Sequence, residues 1–107
     1  MYKIEFYVPY THLEKVKDAL FNARAGKIGH YDHCCWQTEG SGQFRPGAAS
    51  NPFLGEKGKL ETLIEWKVEL VCSDDNIDNA LSALLESHPY EEPAYNIVKI
   101  YDKNMFL

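Results

Sequence analysis

Leu60-Glu61-Thr62-Leu63-Ile64-Glu65-Trp66-Lys67-Val68-Glu69-Leu70-Val71-Cys72 is the most regular stretch of this 107-residue chain. Leu60, Thr62, Ile64, Trp66, Val68, Leu70 and Cys72 alternate with Glu61, Glu65, Lys67 and Glu69. A period of two is that of a strand with one buried face. Ser73-Asp74-Asp75 then supplies a helix cap and acids where the dipole favours them. Ile77, Ala80, Leu81, Leu84 and Leu85 follow at the spacing of a helix laid on a sheet, and Pro89 stops it. Strand 3 and helix 2 are therefore expected here, joined by a short turn.

Working outward, Tyr2, Ile4, Phe6 and Val8 alternate with Lys3, Glu5 and Tyr7, predicting strand 1 up to Pro9. Thr11-His12-Leu13-Glu14 has the form of a capping box. Leu13, Val16, Leu20 and Ala23 give helix 1 an apolar stripe, and Gly26 suits a left-handed position after it. Gly29 to Glu39 reads as strand 2, with His30, Asp32, Cys34, Trp36 and Thr38 on one face. Ala94 to Tyr101 alternates again as strand 4. Gly40 to Lys59 is expected to be a long glycine- and proline-rich loop, a kind of segment that is usually functional. Asp102 to Leu107 is a short tail whose Met105-Phe106-Leu107 end is expected to dock.

The resulting order, strand-helix-strand-strand-helix-strand, predicts an α+β ferredoxin-like βαββαβ sandwich. It has a four-stranded antiparallel sheet, two helices on one face and a long loop between strands 2 and 3. One such domain takes up residues 1–107. The sheet's other face is left open, with Tyr7, Tyr31, Leu63, Val71 and Tyr101 assigned to it, so self-association is expected.

Apolar content of 45% and charge of 25% are those of an ordinary globular protein. A net charge of −5, with lysines scattered, argues against a nucleic-acid surface. Three cysteines form no disulfide framework, and neither a signal peptide nor a spanning apolar run is visible. A cytoplasmic protein without a membrane partner is expected.

The corner His88-Pro89-Tyr90-Glu91-Glu92-Pro93-Ala94-Tyr95 is stiff because each proline removes helical geometry from the residue before it. Aromatics, acids and a histidine there suggest a second job beside turning the chain. His30, Trp36, Arg45, His88, Tyr90, Glu91 and Glu92 are the candidate ligand-binding residues. Core packing is the simpler role for Trp36, and a solvated loop charge for Arg45. A guanidinium there would otherwise clamp a carboxylate, Glu91 or Glu92 of the same or a neighbouring chain, or a phosphate. Imidazole, thiolate and carboxylate bind divalent transition metals, which makes His30, Cys34, His88 and Glu91 the candidate metal set. Tyr31, Phe44 and Phe53 are candidate interface residues. No nucleophile–base pair or phosphate loop stands at diagnostic spacing, so no catalytic residue is assigned.

Two stretches carry a family resemblance. Gly29-His30-Tyr31-Asp32, with Trp36 through Pro46 and Asn51-Pro52-Phe53-Leu54-Gly55, is the first. His88 to Tyr95 is the second. Together they resemble the small inserted domain of the Nif-three-like proteins, also labelled GTP cyclohydrolase type 2 homologues. The resemblance runs from about Tyr2 to Tyr101. It implies a ferredoxin-like domain similar to PII-type and CutA-type trimers. In that family a dinuclear metal site sits in a larger two-part body for which this chain has no room, and none of its ligands falls on a residue here.

The expected function is a small, oligomeric, non-catalytic module that binds a metabolite or divalent metal or docks on a partner protein. The alternatives are a metal-dependent hydrolase-like enzyme using His88, Glu91 and Glu92 as acid–base groups, and a structural lid for a separate metal-site protein.

Overall fold

The computed structural model describes residues 1–106. Its elements run β1 (Tyr2–Pro9), α1 (Leu13–Asn22), β2 (Trp36–Phe44), β3 (Glu61–Cys72), α2 (Ile77–Ser87) and β4 (Tyr95–Lys99), with single 3-10 turns before α1, before α2 and after β4. The sheet order is β2-β3-β1-β4, antiparallel throughout. This is the expected ferredoxin-like arrangement.

The period-two strands and helical stripes meet in one core. Ile4, Phe6 and Val8 of β1 and Val68, Leu70 and Cys72 of β3 face Leu13, Val16 and Leu20 of α1 and Ala80 and Leu84 of α2, all buried. Ile77 and Leu81 pack at its edge, while Leu85, expected in the stripe, is 44% exposed. Cys72 is a small buried apolar group whose thiol is pushed up by burial.

β2 departs most from expectation. Gly29–Cys35 forms no paired strand: an isolated bridge joins Ile28 and Tyr31, and Gly29 and His33 both have positive φ. The strand instead begins at Trp36 and continues through Gly40-Ser41-Gly42 to Phe44, paired with β3 from Glu69 down to Glu61. Its backbone groups are held by β3, which outweighs weak local propensity. Gly42 has a tertiary reason: a Cβ there would lie 1.8 Å from Glu65 Oε1. The irregular span accordingly shrinks to residues 45–60.

Helix entry and exit also differ in detail. Thr11 and Glu14 do not form a capping box. Thr11 Oγ1 pairs with the His12 ring, and Glu14 accepts from Lys17. Nor does Ser73 cap α2 with its side chain. Asp74 instead binds the N-terminal ammonium and Lys99. After α1 the left-handed position is taken by Arg24 (φ 71). Gly26 (φ 78) lies in the next turn, where a Cβ would meet Cys34 O at 2.8 Å. β4 stops at Lys99, and beyond it Tyr101 and Phe106 meet edge to face, both exposed. Leu107 lies outside the described residues.

The helix-free face of the sheet is not the apolar one expected. Register places Lys3 and Glu5 of β1 beside Lys67, Glu69 and Val71 of β3, and Lys3 pairs with Glu69 at 2.8 Å and Glu5 at 3.3 Å. Tyr7, Leu63 and Val71 do share this face, together with Trp36, 70% exposed. Tyr31 does not, being in the loop before β2, and Tyr101 lies past the end of β4.

β3 is longer than β1. Past Glu65, the partner of Pro9, it pairs with β2 alone, so a two-stranded ribbon overhangs the body. The molecule measures 52 × 24 × 24 Å, with a radius of gyration of 15.2 Å. A compact chain of this length would have about 13 Å. Ile64, on the ribbon, is 59% exposed.

Candidate functional site

At the ribbon end of the sheet the 45–54 loop folds back over the corner between α2 and β4. The two enclose a cleft of about 580 Å³, lined by Tyr7, Gln43–Gly47, Ala49, Ser50, Pro52–Leu54, Glu65, Tyr90–Glu92 and Ala94. That volume suits a small molecule.

His88 fixes the corner. β4 ends its pairing with β1 at Phe6–Tyr95, so Tyr7 reaches past the ladder; its N–H donates to Ala94 O and its carbonyl needs another donor. His88 Nε2 supplies it at 2.7 Å, and Nδ1 accepts the Tyr90 N–H at 3.1 Å. Those two bonds define a neutral ring protonated at Nε2. Burial lowers the His88 pKa, the bond to the Tyr7 carbonyl opposes this, and nearby His12 lowers it further. With 6% exposure and both nitrogens committed, His88 holds the corner's shape and offers no atom to the cleft.

Tyr90 is the hub of the wall. Its ring lies 6.2 Å from Phe44, 6.3 Å from Phe53 and 4.9 Å from His88, centroid to centroid. Its hydroxyl donates to Glu65 Oε2 at 2.8 Å. Burial first, then this carboxylate, push the phenol far above its ordinary value. Glu91 Oε2 accepts the Asn51 N–H at 2.8 Å, tying the loop to the corner across 40 residues of sequence. Within the loop, the Ser50 hydroxyl and N–H both donate to Gly47 O, and Gly58 N–H donates to Pro46 O. Phe53 also meets His12 edge to face at 5.3 Å. Phe44 and Phe53, named as interface residues, thus pack on rings of their own chain, while Tyr31 is 76% exposed in the loop before β2.

Of the sequence-derived ligand residues, the fold gathers Arg45, Tyr90, Glu91 and Glu92 around the cleft. It leaves out His30 and Trp36, which belong near the opposite end of the sheet, where Gly26 N–H bonds Val71 O. Cys34 is there too, beside Cys35, whose thiol is pushed up by burial. The proposed metal set His30, Cys34, His88 and Glu91 is therefore split between two ends, and among the described residues no three such side chains cluster. The alternation that joined His30 to Cys34 belonged to a strand that does not form. Arg45 makes no ion pair with Glu91 or Glu92 among the described residues. Tyr7, Gln43 and Glu65 were not anticipated, because strand residues far apart in sequence carry no local sign of meeting.

No family model matches the chain. Proteins named GTP cyclohydrolase 1 type 2 homolog do resemble it. That of Bacillus subtilis (strain 168) is 43% identical over 98 residues, covering 92% of this chain and 26% of its own length. That of Halalkalibacterium halodurans is 41% identical over 97 residues, covering 91% and 26%. The chain spans about a quarter of the length of these curated relatives. Among solved structures, a Bacillus cereus protein related to NIF3 superposes with a TM-score of 0.78 at 36% identity, over 94% of this chain and 26% of that one. CutA1 from Pyrococcus horikoshii, at 21% identity, shares the fold with a TM-score of 0.69 over 99% of this chain and 89% of its own. The chain is thus homologous to a segment, about a quarter in length, of the Nif3-like GTP cyclohydrolase 1 type 2 homologs, and it has the CutA fold.

Proposed function

We propose that the chain is a single-domain, non-catalytic module of the cytoplasm that binds a small ligand in the cleft under the 45–54 loop and assembles with copies of itself, as a trimer. The observation that carries the binding half is the preformed cleft, whose loop is already tied to the corner by the Asn51–Glu91 bond. A site ordered before its ligand arrives loses little entropy on binding. Support for a non-catalytic role comes from the titratable groups. His88 is locked neutral, and Tyr90 and Glu65 satisfy each other.

Self-association draws support from the uncovered sheet face, with Trp36 exposed beside alternating Lys and Glu, and from the ribbon carrying Ile64 and Leu60 into solvent. Alternating charges on one face are complementary to a rotated copy of that face. Sedimentation velocity at micromolar concentration tests assembly, and a sharp monomer boundary overturns it. A screen by thermal shift, with amide NMR to locate binding, tests the cleft. Turnover of a phosphate ester abolished by Glu91→Gln would instead support the enzyme reading.

A further inference from the structure

Resting on the reading of the cleft as a binding site, we propose that its ligand is an organic amine: a primary ammonium on an aromatic or aliphatic body, of net charge zero or positive. Three features of the walls point the same way. Among the described residues, the charged lining groups are three carboxylates, Glu65, Glu91 and Glu92, against one guanidinium, Arg45. Glu65 is occupied by the Tyr90 hydroxyl and one oxygen of Glu91 by the Asn51 N–H. Glu92 and the second Glu91 oxygen have no partner among the described residues, and they sit at the corner beside Tyr90.

Rings make up much of the apolar part of the cleft, beside Pro46, Pro52 and Leu54. Phe44, Phe53 and Tyr90 form one aromatic cluster, with Tyr7 also in the lining. Ring faces attract an ammonium by their quadrupole and stack on a flat apolar body. An anion would meet the opposite on both counts: a net negative lining and electron-rich rings. Arg45 stands on the loop side of the cleft, with no ion pair among the described residues. It accommodates a carboxylate on the same ligand, as in an amino acid, but one guanidinium does not offset the repulsion of a polyphosphate by three carboxylates.

The experiment compares two probes of matched size and opposite charge, phenethylamine and 3-phenylpropionate, with ATP as a third, by titration into the ¹⁵N-labelled full chain. The backbone amides of Asn51, Tyr90 and Glu91 report on the cleft. Phenethylamine is expected to shift these resonances saturably, at least tenfold more tightly than 3-phenylpropionate, and less tightly as salt is raised. Glu92→Gln, at an exposed position that leaves the fold intact, should weaken the amine severalfold, while Arg45→Ala should not weaken it. Tighter or equal binding of 3-phenylpropionate or ATP at the same amides overturns the amine assignment and leaves the cleft as a site. Unaltered amine affinity in Glu92→Gln also overturns the assignment. If none of the three probes moves these amides at millimolar concentration, the cleft reading itself fails.

Discussion

Replacing His88 by Ala removes the donor of the Tyr7 carbonyl and the acceptor of the Tyr90 N–H together. A buried polar group left without its partner costs about 1–3 kcal/mol. Because the adjoining cleft admits water to one side, the lower half of the doubled range applies, about 2–4 kcal/mol. Chemical denaturation at fixed protein concentration measures this, with the concentration held constant because assembly would add to apparent stability. The pH dependence separates the ring's chemistry from its bulk. His88 has a folded pKa below its ordinary 6.5, so the unfolded chain takes up the proton first as pH falls. The stability it contributes is therefore complete above 6.5 and is lost as pH falls through the folded value. Protonation would place a second N–H against the Tyr90 N–H. The gap between wild type and His88→Ala should thus be widest at neutral pH and narrow on acidification. A gap that stays constant from about pH 8 to pH 5, where histidines titrate, would refute the neutral, doubly bonded ring. So would a change below about 0.5 kcal/mol, the scale of an ordinary surface substitution.

Three further outcomes can be checked. Gly42→Ala places a methyl where Glu65 now lies and should drive that flexible side chain off the Tyr90 hydroxyl; ultraviolet titration should then show Tyr90 ionising at lower pH than in the wild type, assigned by comparison with Tyr90→Phe, and an unchanged profile would deny the Glu65 contact. Phe6→Ala, at a fully buried site in β1, should cost about 3–5 kcal/mol in the same denaturation assay. Trp36 should supply most of the iodide-quenchable fluorescence in dilute protein and become shielded as concentration rises; quenching that does not depend on concentration would remove the sheet face from the proposed interface.

β1, β3, α1 and α2 each carry a clear hydrophobic period, and together with crossover rules they left few topologies. Arg45, Tyr90, Glu91 and Glu92 stood out because two prolines and a glycine-rich segment placed unusual side chains where cheaper residues would turn the chain.

The second half of β2, from Gly40 to Phe44, was hidden for a physical reason. Gly40-Ser41-Gly42 has little strand propensity of its own, and the strand exists because β3 offers a full ladder of backbone partners and because Glu65 needs the space that Gly42 leaves. The alternation from His30 to Cys34 had no such partner, so it became a loop.

By itself, then, the order of residues determined the layer architecture, since periodicity is a local property that burial merely completes. Tertiary structure decided which of the candidate side chains meet. Only register and chain reversal bring Tyr7, Glu65 and the 45–54 loop to the His88–Ala94 corner and carry His30 and Cys34 to the far end, and neither leaves a mark in any single stretch of sequence.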